Sequence, residues 1–157
     1  MNGSNHIATV LICLAAWTPL FAGAQPHEVT EGNYTLRSST VSSETIPASV
    51  AKAHGFEQGP SVFILNITVM EKSRAGNATL PAVLTVKIRD LTGRKLPIDM
   101  KVNHENGFVS YYGTYHRLPN QALSFDITAA PEGSSRMLTM RYRDDGRSTQ
   151  TPEQQKN

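Results

Sequence analysis

Between residues 61 and 143, apolar and polar side chains alternate in five separate runs, and this period of two constrains the fold more than any other feature of the sequence. Successive side chains of an extended chain point to opposite faces, so each run reads as a strand with one buried face. In the run 61–70, Phe63, Leu65, Ile67 and Val69 share a face, while on the other face Val62 and Ile64 give way to Asn66 and Thr68. The run 82–91 sets Ala82, Leu84, Val86 and Ile88 inward against Thr85, Lys87 and Arg89. The run 95–103 sets Leu96, Ile98, Met100 and Val102 inward. In 122–130, Leu123, Phe125, Ile127 and Ala129 oppose Ser124, Asp126 and Thr128; in 136–143, Leu138, Met140 and Tyr142 oppose Arg141 and Arg143. Turn residues separate the runs, at Ala75-Gly76-Asn77, Thr92-Gly93, Pro119-Asn120 and Pro131-Glu-Gly133.

A sixth strand, 108–116, comes with a register. Asn106-Gly107 is a strong two-residue hairpin signal, because both central positions of such a turn need a positive φ. It pairs Glu105 with Phe108, which sets Val102 against Tyr111, Met100 against Gly113 and Ile98 against Tyr115, all on the apolar face. Gly113 leaves room for the long Met100 side chain. A weaker alternation through Tyr34, Leu36, Ser38 and Thr40 suits an edge strand. Ile46-Pro47 through His54-Gly55, with Pro near the start, alanine filling and Gly at the end, predicts a helix of about two turns. Residues 25–31 read as a polar lead-in and 144–157 as a disordered polar tail. The fold class predicted for 25–143 is an all-β, immunoglobulin-like sandwich of two sheets, with about seven strands and one short helix.

The stretch from Met1 to Ala24 contains no Lys, Arg, Asp or Glu, is apolar from Ile7 to Phe21, and ends Ala22-Gly23-Ala24 before Gln25. Small residues at −3 and −1 behind an apolar core are the mark of a secretory signal peptide, although no basic residue precedes the core. An uncleaved anchor fits less well, since Pro19 and Gly23 interrupt a run barely long enough to span. A lipid anchor on Cys13 fits less well again, because Ile12 is too bulky for the residue before a lipidated cysteine. Cleavage after Ala24 leaves a chain without cysteine, held together by its core, and no membrane span; the expected location is the periplasm. The formal net charge of +2 is too weak to argue for nucleic acid. Three Asn-x-Thr triplets, at Asn33, Asn66 and Asn77, are read as chance in a chain rich in Ser and Thr.

Candidate chemistry is sparse. Met70, Met100, Met137, Met140, His27, His54, His104 and His116 could suggest a copper carrier. Met137 and Met140, three apart, point to opposite faces, and the hairpin register puts His104 and His116 about 23 Å apart on opposite faces. No metal or other cofactor is therefore assigned. Ser124, Asp126 and His116 do not form a triad, because nothing brings His116 between the other two; no Gly-x-Ser-x-Gly elbow or phosphate loop occurs, and no catalytic residue is assigned. What remains is contact. Lys87, Arg89, Arg141 and Arg143 form a basic outer face if their strands are neighbours, and Tyr112 points outward from a cluster with Tyr111 and Tyr115.

Several of these residues recur in a familiar order: Gly32-x-Tyr34, Ile46-Pro47-x-x-Val50-Ala51-x-x-His54-Gly55, Phe63-x-Leu65-Asn66-Ile67-x-Val69, Leu91-Thr-Gly93, Tyr111-Tyr112 and Leu123-x-Phe125-Asp126-Ile127. The order resembles that of a family of small periplasmic proteins of Gram-negative bacteria, domain of unknown function 4426, over about residues 30–143. The chain departs from it where the last strand runs into Asp144-Asp145-Gly146 instead of an aromatic-rich end. The resemblance implies a periplasmic location and a β-rich fold, and carries no activity or catalytic residue. The expected function is a non-enzymatic binding module with a periplasmic protein partner. A copper carrier, or an enzyme without a recognisable motif, is the alternative.

Overall fold

Ten strands in two antiparallel sheets make up the fold in the computed structural model, which describes residues 26–146. The predicted signal segment 1–24, Cys13 within it, and residues 147–157 of the predicted tail lie outside the described residues. In chain order the strands are β1 (His27–Glu31), β2 (Tyr34–Ser42), β3 (Val62–Ser73), β4 (Gly76–Thr79), β5 (Ala82–Asp90), β6 (Lys95–Leu96), β7 (Lys101–Glu105), β8 (Phe108–His116), β9 (Leu123–Pro131) and β10 (Leu138–Asp144). The larger sheet runs β1-β2-β3-β8-β7, with β4 also paired to β3; the smaller runs β10-β9-β5-β6.

The core lies between the sheets and is made by the residues that alternation assigns inward. Leu65, Ile67 and Val69 of β3, and Leu123, Phe125, Ile127 and Ala129 of β9, are all at most 1% exposed. Ile88, Tyr115, Leu138 and Met140 join them. Tyr111 clamps the sheets together: its hydroxyl accepts from the Ala82 N–H at 2.7 Å and donates to the Ala82 carbonyl at 2.9 Å.

The hairpin register holds. Glu105 pairs with Phe108 and Val102 with Tyr111, through Asn106 (φ 50°) and Gly107 (φ 78°). Gly113 is needed for space: a Cβ there would stand 2.7 Å from the Asp99 carbonyl oxygen, 2.8 Å from Met100 Sδ and 2.9 Å from Ile98 Cγ1.

Four expectations are corrected. The run 95–103 is two strands, because Pro97 has no N–H for a ladder. The chain leaves the smaller sheet at Leu96 and enters the larger at Lys101. Val102, expected inward, is 48% exposed, since β7 is an edge strand beyond the reach of the two-residue β6. The lead-in is strand β1, which packs at the seam between the sheets, with the His27 ring stacked 3.6 Å from that of Tyr142. Finally, Asp144, placed in the tail, is the last residue of β10 and pairs with the buried Arg117 at 2.6 Å.

The predicted helix spans Ala48–His54 and ends on Gly55 in the left-handed region. It lies over the outer face of the larger sheet. Its Ala51, with Ile46 and Ile64, forms a second small core that Val41, Val50, Phe56 and Tyr112 flank. This explains why Ile64, on the face opposite the main core, is only 4% exposed.

Candidate binding face

The outer face of the smaller sheet is built in rows by the pairing of β5 and β10 on either side of β9. Lys87, Asp126 and Arg141 stand opposite one another in one row; Arg89, Ser124 and Arg143 make the next. On the other side of the first row come Thr85, Thr128 and Thr139. Beyond them Val83 pairs with Ala130, and Met137 immediately precedes β10.

Asp126 organises the cations. Its Oδ2 accepts from a terminal nitrogen of Arg89 at 2.6 Å and its Oδ1 from Arg141 Nε at 2.9 Å. One carboxylate thus holds two guanidinium groups of flanking strands, and each keeps further N–H donors. Arg143 Nε donates to Asp145 Oδ1 at 2.9 Å. Thr85, Lys87, Arg89, Asp126, Thr128 and Arg141 line a depression of about 210 Å³. That is smaller than the roughly 300–1,000 Å³ of a pocket for a drug-sized molecule. The arrangement offers hydroxyls and fixed cations to a broad anionic surface.

Of the residues singled out from the sequence, Lys87, Arg89 and Arg141 come together here. Tyr112 does not: it is on β8, on the outer face of the other sheet. Its ring meets those of Phe56 and His54 edge-on, with centroids 5.2 and 5.8 Å away. Ser124 and Asp126 share this face, but His116 pairs with Val62 in the other sheet. Among the described residues no group of three His, Cys, Asp or Glu side chains could hold a metal ion. Met140 is buried in the core, while Met137 is 62% exposed.

Two features escaped the sequence reading. The role of Asp126 as the anchor of two arginines is not visible in the alternation or in the rejected triad, because those arginines lie 37 and 15 residues away. The other is a buried polar group between the sheets. Ser38 and Tyr142 hydroxyls lie 3.0 Å apart, while Tyr115 Oη makes no hydrogen bond among the described residues. Burial drives the Tyr115 phenol far above its ordinary range, against the opposing effect of Thr40 and the Arg117 charge.

Fold and face together define an all-β two-sheet sandwich domain with an exposed, cation-bearing sheet face. The chain belongs to the DUF4426 family, a domain of unknown function whose family model matches residues 28–145. It is similar in fold to a DUF4426 family protein from Pseudomonas aeruginosa: 22% identity, TM-score 0.65, with 80% of this chain and 95% of that one covered. The GAE domain of GGA2p from Saccharomyces cerevisiae also aligns, over 77% of this chain and 96% of that one. At 9% identity and a TM-score of 0.33 it carries no argument. No curated protein matches the chain. Among the described residues no helix is long and apolar enough to cross a membrane.

Proposed function

We propose that the chain is an exported, non-enzymatic binding module of the periplasm, and that it meets its envelope partner through the outer face of the smaller sheet. The observation that carries this reading is the assembly of Lys87, Arg89 and Arg141 around Asp126 on one open face. Charged side chains keep a solvated sheet face from aggregating, and that alone would require no order among them. A carboxylate that fixes two guanidinium groups in place prepares the face for an anionic partner at a lower cost in side-chain entropy. Export is supported by the apolar stretch that closes on Ala22-Gly23-Ala24 and by the absence of cysteine after Cys13.

A photocrosslinking residue at the centre of the face tests the reading in living cells. Thr128→p-benzoylphenylalanine is expected to give crosslinked products in the envelope fraction. The same residue at Thr35, on the other sheet, is expected to give none. Equal products from both positions, or none from position 128, would overturn the choice of face. Mass spectrometry of the recovered protein is expected to find Gln25 at its N-terminus, and an intact Met1 would remove the cleaved-signal reading.

A further inference from the structure

We propose that this face docks on the surface of an anionic phospholipid bilayer, with its cations among the headgroups and Val83 and Met137 turned toward the acyl boundary. The inference rests on the reading of the face as the contact surface and adds its occupant.

Charge comes first. Lys87, Arg89, Arg141 and Arg143 spread over both outer long strands, against the single carboxylate of Asp126 within the rows and that of Asp145 beyond the strand end. A cluster of four or more cations on one face is attracted to an anionic leaflet.

Shape comes second. The depression in the face, about 210 Å³, is too small to enclose a drug-sized molecule, which fits a partner that lies across the face better than one held within it. An acidic peptide is the competing occupant, and peptides dock by adding to a strand edge or by filling a groove. The sheet ends on β10 at one edge and on the two-residue β6 at the other, and a strand added at either edge would extend the sheet in its own plane and leave uncovered the outer face that carries the cations.

Polarity comes third. Val83 is 77% and Met137 62% exposed, and both stand at one end of the face, beyond the threonine row. From there to the Arg89 row is six residues, or about 20 Å along the strand. The order along the strands is apolar, hydroxyl, cationic. Apolar side chains beside a basic patch are how peripheral proteins combine burial with charge attraction at an interface. An acidic chain without apolar side chains, such as polyglutamate, gives Val83 and Met137 nothing to bury against.

Co-sedimentation with vesicles tests this, using the protein as recovered from cells. Phosphatidylglycerol-containing vesicles are expected to carry it down at low salt and release it at high salt, and pure phosphatidylcholine vesicles are expected not to bind it. The variant K87E/R143E leaves Asp126 with both its arginines. It is expected to bind about tenfold or more weakly. V83S/M137S is expected to lose binding several-fold. All versions carry the same N-terminus, so differences between them read the sheet face alone. Their melting temperatures should agree, since every substituted side chain is exposed. Failure to sediment with phosphatidylglycerol, equal binding by K87E/R143E, or competition by soluble polyglutamate with no effect of V83S/M137S would overturn the proposal. Crosslinks from position 128 without vesicle binding would leave the contact face standing and remove the lipid.

Discussion

Gly113 sits at a point of close approach. A methyl group there would press against the Asp99 carbonyl oxygen at 2.7 Å, which is backbone and cannot swing aside as Met100 can. Gly113→Ala is expected to cost about 2 kcal/mol by forcing the 98–100 segment outward, read as a lower urea midpoint with an unchanged slope. Burial, opposed by the hydrogen bond to Ser38 and the effect of Thr40, pushes the Tyr142 phenol up to about 12. An unfolded tyrosine ionises near about 10. Its contribution to stability is therefore whole below pH 10 and is lost as the pH climbs to about 12, because the unfolded chain gives up this proton first. Melting temperatures measured across that window should fall less steeply in Tyr142→Phe, which keeps the stack on Phe125.

At the scale of elements, strands are fixed by their neighbours as much as by their own pattern. The hairpin of β7 and β8 was legible because its turn and both its alternations are local, and all three agree on one register. Strand β1 was not legible: His27 to Glu31 has a single apolar residue, Val29, and is held by pairing with β2 and by His27 against Tyr142. Burial lowers the His27 pKa against the opposing pull of Asp144, so the fold favours the neutral ring. This contribution is present above the ordinary histidine range and is lost as the pH falls through the lowered value. Amides of residues 27–31 are expected to lose hydrogen-exchange protection on acidification more than those of β3, after correction for intrinsic rates. His27→Phe should suppress the difference, since it keeps the stacked ring without the titration.

For the whole molecule, one ion pair ties the sheets at the end opposite Val83. The Arg117 side chain is 8% exposed, donates to Asp144 of the other sheet at 2.6 Å, and stands 4.1 Å from the centre of the Phe63 ring. Arg117→Ala leaves Asp144 without its partner and is expected to cost about 3 kcal/mol, the low end for a buried pair because Asp144 still touches water. Thermal melts should separate it clearly from K87E/R143E, whose exposed charges are worth little to the fold.

The sequence by itself determined which face of each strand is apolar, where the helix begins and ends, and how β7 meets β8. Each of these depends on residues a few positions apart, through the two-residue period, the capping glycine and the turn. It also supplied the cations of the candidate face, but not their company. Only the tertiary structure decided that β5 and β10 flank β9, and so placed Lys87 and Arg141 on either side of Asp126. The same assembly split 95–103 between the sheets and took Tyr112 to the far side under the helix. Strand order depends on burying both sheets' apolar faces at once, and the alternation along any one strand is the same whichever neighbours it takes.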